Sequence, residues 1–491
     1  MVACAAMDLT RADRATLLAV IAAQAEEIAL LRAQVAAQAE ELSRLRAQVT
    51  ELAARLGQDS TNSSRPPSTD PPGARAGKAP PPAGKRSPGG QPGHKGVHRE
   101  LLPAERVNRV VTLLPERCAG CGAALAAEAG GGDPEDERRQ VVELPPLAAE
   151  VIAYRLAARR CAGCGRTTRA TAPAEAGQGS FGVRLTALAA LLAGRYRLSK
   201  RETAACVGDL TGVALSVGSV SALEQDVSRA LGPVAAEVAA AVQTARVANV
   251  DETGWRLLRG RAWLWTVVTA TLTLFHLNRS RSGEVARALL GPLWSGVLGS
   301  DRGAMYNWYD RERRQLCWAH LKRDFQELVD FSPASRPVGK RLLAIEAEVF
   351  AAWHRFRAGE LDRGGLQAEL ATRQAAMRET LGEAAAGPDG QAAGVCGALL
   401  KLWPALWTFA AVEGVEPTNN GAERALRPAV LWRKGSFGCH SPEGGRYVER
   451  ILTVSATCRQ QGRPLFDFLV AALQAARHAT PPPSLLTSPT L

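Results

Sequence analysis

At 491 residues the chain exceeds what one ordinary hydrophobic core holds, and a hydrophobic fraction of 46% supports globular folding, so three or more domains are expected. The first residues mix Asp8, Arg11, Asp13 and Arg14 among alanines with no secretion-signal layout, and no apolar run reaches the roughly 18 residues needed to cross a bilayer, which points to the cytoplasm. Sixty Lys and Arg against 48 Asp and Glu leave a net charge of +12, which suits a polyanionic partner, and ten cysteines, in two tight pairs and six singles, speak against a disulfide framework.

Heptads come first. Ile21, Ile28, Val35, Leu42, Val49 and Leu56 recur at one seam position, and Leu17, Gln24, Leu31, Gln38, Leu45 and Leu52 at the other, predicting a coiled coil within 1–57 that joins copies of the chain. Residues 22–35 recur as 36–49, so the repeat keeps the seam in register, with Gln24 and Gln38 as polar seam positions. A single amphipathic helix packing on its own chain is the alternative. Residues 58–105 are rich in Pro and Gly and read as a basic linker. Between 60 and 99 lie seven Lys or Arg and one acid, so Lys85, Arg86 and Lys95 are candidates for phosphate contact, with a solvated tether as the plain reading.

Within 106–173, Cys118-Ala-Gly-Cys121 and Cys161-Ala-Gly-Cys164 are knuckles followed by Gly122 and Gly165, which permit a tight turn around a metal. Four thiolates in this spacing suit one structural Zn²⁺. The 39 residues between the pairs exceed a usual ribbon loop, so the strand-like runs RVNRVVTLL and EVIAYRL are expected to bring the knuckles together. A redox dithiol and ordinary core cysteines are the alternatives.

Residues 178–245 read as helical. A helix near 200–210, a turn at Thr211-Gly212 and Ser216 as the cap of a second helix through Val220 and Leu223 suggest a helix-turn-helix, beside the basic Arg195, Arg197, Lys200 and Arg201. From 246 the strand-like runs RVANVDE, AWLWTVVTA, LTLFHLN, GVLGSD and QLCWAH follow, then helices to about 411 and a mixed, basic segment to about 478. A disordered tail is expected over 481–491. The first and fourth of these strand-like runs end in Asp251 and Asp301. Acids at the carboxyl ends of neighbouring strands can share a metal cluster, as phosphodiester chemistry requires, although Asp is also common where strands turn. Asn420-x-x-Glu423 reads locally as a capping box, with Glu423 reaching back to a backbone N–H.

Together these residues resemble the insertion sequence 66 family of DDE transposases. The elements stand in the family's order: leucine zipper, NSSRPPS and GGQPGHKG linker segments, paired CxxC knuckles, VDETG, SDRGAMYN, CWAHLKRDF, and TNNGAERALRP followed by WRKGSFG. The resemblance implies a multidomain α/β protein. Its ribonuclease H-like catalytic domain would span 246–435, interrupted by a helical insertion at 325–415 and followed by a C-terminal region at 436–480. It also implies Asp251, Asp301 and Glu423 as the carboxylates holding Mg²⁺ (or Mn²⁺), two ions in all, for nicking transposon ends and transferring the 3′-hydroxyl to target DNA. His320, Arg323, Asn420, Arg427, Arg433 and Lys434 become candidates for contacts behind the metal or to DNA. Arg427 could equally do no more than pair with Glu423. Glu252, Glu443 and Glu449 are rival carboxylates. DNA, a second copy of the chain and accessory proteins of the same element are the implied partners, in a bacterial, nucleoid-associated setting. A DNA-binding protein without chemistry and a nuclease that cuts without joining are the competing functions.

Overall fold

The computed structural model describes residues 14–56, 100–125, 138–177 and 179–486. Lys85, Arg86 and Lys95, and with them nearly the whole linker, lie outside these residues. Two compact units form: one from the described part of 78–315 with 414–486, the other from the described part of 1–77 with 316–413.

Alanine, leucine and glutamate with no internal Gly or Pro favour helix, and α1 runs unbroken over Arg14–Leu56. Its seam residues Ile21, Ile28, Leu31, Val35, Leu42, Leu45 and Val49 are all exposed in the single chain. In the cysteine-bearing segment the strands are the short β1 (Ala158–Arg160) and β2 (Thr167–Arg169), an antiparallel hairpin. RVNRVVTLL and EVIAYRL, expected as strands, carry no ladder among the described residues. Val110, Leu113 and Val151 are 80%, 86% and 89% exposed there, so the β-type side chains have no sheet to pack into.

Next come α2 (Val183–Ala190), a π-helical turn at Leu191–Arg195, α3 (Lys200–Thr211) and α4 (Val217–Val242). Ser199 and Glu202 form a reciprocal capping box on α3, Gly212 ends it in the left-handed region, and Ser216 caps α4 by accepting from Ser219 N. The buried stripe Val220, Leu223, Val227, Leu231, Val234, Val238 and Val242 commits α4 to the core along its whole length.

A five-stranded sheet centres this unit, in the order β5-β4-β3-β6-β7. Its strands are β3 (Val247–Leu257), β4 (Gly260–Val268), β5 (Thr273–Asn278), β6 (Val297–Ser300) and β7 (Arg314–Leu316), with α5 (Gly283–Leu290) between β5 and β6. β3, β4 and β5 are an antiparallel meander, and β6 runs parallel to β3. The run QLCWAH is strand only as far as Leu316: Cys317 caps the next helix, α6 (Trp318–Phe331). The second unit continues with α7 (Arg336–Arg357), α8 (Arg363–Ala385), α9 (Gly390–Lys401) and the single turn α10 (Thr408–Ala411). Trp318, Trp353, Trp407 and Phe409 pack edge-on at its centre, and Trp318 Nε1 donates to Leu406 O at 2.9 Å.

The chain returns to the sheet with α11 (Asn420–Ser436), α12 (Pro442–Gln460) and α13 (Leu465–His478). Residues alternate between the two sheet faces: Ala248, Val250, Trp265 and Val267 pack with α4 and α5, while Trp255, Ala262, Leu264 and Phe275 pack with α11 and α12.

The C-terminal region at 436–480 packs into this core. Along α12, Glu449, Thr453 and Thr457 accept from the backbone N–H groups of Leu277, Phe275 and Thr273 at 2.6, 2.9 and 3.1 Å. Four helical residues rise about 6 Å and two strand residues about 6.8 Å, so the two rows match and the open edge of β5 is satisfied by side chains. The expected disordered tail also folds back as far as residue 486. Leu485 is buried in the core, and Ser484 Oγ donates to Glu237 Oε1 at 2.7 Å, because an apolar Leu-Leu pair follows the prolines and finds an open place on α4.

Candidate active site

Asp251 lies within β3, opposite Thr266 of β4, rather than at the strand's end as its sequence context suggested. What ends there is the parallel ladder, whose last pair is Asn249 with Gly299. Asp251 and Asp301 each stand two residues beyond that pair. They therefore project from neighbouring strands about 4.8 Å apart on the same face of the sheet. Asp301 is held by a short turn in which its Oδ1 accepts from Gly303 N at 2.8 Å. A Cβ at position 303 would press on that same oxygen and on the end of the Met305 side chain, so a larger residue would displace this contact. Asp251 Oδ1 accepts from Glu252 N at 2.9 Å, and no donor among the described residues reaches Oδ2 of either aspartate.

Glu423 comes from the first turn of α11. The helix starts at Asn420 with Asn419 as its N-cap, so the third position of a capping box is Ala422, and the box expected from Asn420 and Glu423 does not form. Asn419 is buried and turned to the sheet, donating from Nδ2 to Val250 O at 2.8 Å. That bond ties the start of α11 to the strand residue next to Asp251. Arg433 fixes the other end, donating to Thr253 Oγ1 at 3.2 Å and to Gly254 O.

Burial pushes the Asp251 carboxyl well above its ordinary value, followed by the charge of Glu252; the Glu252 N–H opposes this, and Asp301 and Glu423 add to the rise. A buried carboxyl facing two like charges is the condition that a divalent cation relieves; among the described residues the oxygens of Asp251, Asp301 and Glu423 do not all lie within ligand distance of one another.

The rival acids are committed elsewhere. Glu252 points to the opposite face, with its carboxylate 2.7 Å from Arg281 and accepting from Tyr306 Oη at 2.6 Å. Glu449 belongs to the β5 edge and to His276, 3.0 Å away, while Glu443 is exposed and paired with Arg446 at 2.8 Å. Arg427 is exposed and forms no ion pair with Glu423; it sits one turn on but turned to solvent. Lys434 is exposed in the last turn of α11, Asn420 is half-buried at its first position, and His320 and Arg323 lie on α6 of the other unit.

Sequence reasoning missed Arg314, Tyr306 and Asn419. Fully buried Arg314 donates to Asp301 O at 2.8 Å, Ser300 Oγ at 3.1 Å and Asn307 Oδ1 at 3.2 Å, and its guanidinium lies 5.7 Å from the Tyr306 ring centre. Burial lowers its pKa to about 10, against the opposing pull of Asp301. The available signal was a cluster, Arg311, Arg313 and Arg314, which does not tell which member faces inward.

The cysteine knuckles form separately. Gly122 and Gly165 have φ of 74° and 71°, and their N–H groups bond to Cys118 O and Cys161 O, each at 2.9 Å. The N–H groups of Cys121 and Gly120, with the Cys121 thiol, hold the Cys118 thiol below its usual range, and Cys164 and Gly163 act likewise on Cys161. Each pair therefore fits a thiolate ligand pair; among the described residues the four sulfurs do not gather into one cluster.

The fold and site together define a class: a mixed α/β protein with an aspartate just past the end of the parallel pairing on each of two neighbouring strands of its sheet. Within that class the chain belongs to the transposase IS66 family, whose profile matches residues 178–447. A second profile, of a family of unknown function, matches 18–100. Two uncharacterized proteins of Sinorhizobium fredii are similar. One, y4qI, is 28% identical over 239 residues, covering 43% of each chain. The other, y4hP, is 25% identical over 392 residues, covering 72% of this chain and 69% of that one. The chain spans less than half the length of the first of these relatives. Among the described residues no helix is long and apolar enough to cross a membrane.

Proposed function

We propose that this chain is the DNA transposase of an insertion sequence, with Asp251, Asp301 and Glu423 as its metal-holding carboxylates on a ribonuclease H-like core. The observation that carries this is the β3–β6 register, which aligns Asp251 with Asp301 on the face that α11 covers. The order of the sheet, an antiparallel meander joined to a strand parallel to its first, supports the core assignment.

Asp251 and Asp301 would hold the cation pair, with Glu423 contributing from the helix. Two Mg²⁺ bound there supply an activated attacking oxygen and a stabilised leaving oxygen for in-line displacement at phosphorus. The protein's own part is rigidity. Gly303 N orients Asp301, Arg314 holds its carbonyl from behind, and Asn419 fixes the helix that carries Glu423. Water attack at the transposon end, then attack of the freed 3′-hydroxyl on target DNA, would use the same carboxylates in both steps. Each cysteine knuckle would offer a thiolate pair to a structural Zn²⁺, all four ligating one ion once the two knuckles, separate here, close on it, and the exposed seam of α1 would join copies of the chain.

The test incubates the protein with Mg²⁺ and DNA bearing the element's inverted-repeat ends, and resolves nicked and joined products. Asp251→Asn, Asp301→Asn and Glu423→Gln are each expected to lower both by at least about 100-fold with end binding intact. Full activity in Glu423→Gln would remove Glu423 from the cluster, and nicking without joined products would leave a nuclease. For zinc, metal analysis of Cys118→Ser should show the ion lost; an unchanged content would refute the site.

A further inference from the structure

Away from the acids, the π-helical turn at Leu191–Arg195, β5, α11 and α12 line a small, partly open cleft of about 10 Å³, room for little more than one water-sized group. Its walls carry two cations, Arg195 and Arg459, beside Phe275, Ala425, Pro428 and Ser455. Among the described residues neither guanidinium meets a carboxylate. The neighbouring Lys200, by contrast, is committed to Glu224 at 2.9 Å and Ser221 at 2.7 Å. The position of Arg195 is built. Gly194 lies so close to Ile451 and Tyr447 that a side chain there would collide, which seats the turn directly on α12. Arg197 adopts a left-handed φ of 64° and donates to Arg195 O at 3.3 Å, a conformation costly for a side-chain-bearing residue. π-turns and strained residues concentrate where a function needs them. A cation in the last turn of a helix, as Arg459 is in α12, is favourable by itself. That accounts for one arginine and not for a second lining the same cleft.

We propose that Arg195 and Arg459 clamp one backbone phosphate of duplex DNA at this cleft. An anion between them would relieve the repulsion between two like charges, which at present adds to burial in lowering the Arg459 pKa. At about 100° per helical residue, Ala425 and Pro428 lie roughly 200° and 140° around α11 from Glu423. The clamped phosphate is therefore a flanking one that positions the duplex, not the scissile one. The clamp rests on the reading of the chain as a DNA-acting enzyme.

The experiment measures anisotropy of a labelled 30-base-pair duplex of arbitrary sequence against the full chain from 50 to 300 mM KCl. The double variant Arg195→Ala with Arg459→Ala is expected to bind roughly five- to tenfold more weakly at low salt. Its slope of log affinity on log salt should shrink by about one unit, the signature of one lost phosphate contact. Arg195→Lys with Arg459→Lys should keep the slope, and the single Arg459→Glu, at an exposed position, should weaken binding without touching the core. Arg229→Ala with Arg446→Ala removes two exposed arginines elsewhere and should leave affinity within about twofold. Wild-type affinity and slope in the double variant would overturn the clamp alone, as would an equal loss in the control, which would mark a net-charge effect. Absence of any wild-type binding at 50 mM would overturn the clamp together with the DNA-acting reading.

Discussion

Asp251 has its ionisation opposed by burial first and then by Glu252, Asp301 and Glu423. Its folded pKa lies above its unfolded one, so between the two values the native state binds more protons, and the stability this carboxyl contributes is lost as pH rises through the folded pKa. Asp251→Asn is therefore expected to raise the thermal midpoint of the metal-free protein by about 2–4 °C at pH 8 and by less at pH 5, and to reverse that order when Mg²⁺ is present. Melting curves in EDTA at the two pH values check this; an equal shift at both would count against it. Arg314 is the opposite case, a buried cation that donates to Ser300, Asn307 and the Asp301 carbonyl. Arg314→Ala leaves Ser300, Asn307 and the Asp301 carbonyl without it and should cost about 3–5 kcal/mol in urea unfolding.

At the level of elements, the edge of β5 is closed by a helix rather than by another strand. The N–H groups of Thr273, Phe275 and Leu277 depend on three α12 side chains spaced four residues apart. Thr453→Val keeps the shape and removes the acceptor at Phe275 N, so a loss of about 1–3 kcal/mol is expected, recovered by Thr453→Ser. Denaturant titration of both variants decides it, and a neutral Thr453→Val would mean that water reaches the edge. The same row explains why Glu449 is no part of the proposed metal site although it is an acid near the C-terminus: its carboxylate already serves Leu277 N and His276.

For the molecule as a whole, the long apolar seam of α1 is exposed among the described residues, with Ile21, Val35 and Val49 at 60%, 64% and 65% exposure. A second copy is the occupant proposed from the heptads. Ile28→Glu with Leu42→Glu should convert the oligomer to monomer in sedimentation at micromolar concentration, and an unchanged mass would place the contact elsewhere. What was legible in the sequence is local. Heptads, CxxC knuckles with their glycines, the Ser216 cap and strands leading to Asp251 and Asp301 are each written in a few neighbouring residues, because propensity, capping and alternation act over one or two turns of chain. Long-range packing decided the rest. Whether Asp251 or Glu252 faces α11 depends on which sheet face that helix covers, and Asn419 displaced Asn420 because the helix begins one residue earlier than the capping pattern suggested. Arg314 rather than Arg311 or Arg313 is buried because β7 places it behind Asp301. Each of these choices is made by a partner far away in sequence, so only the tertiary structure could make it.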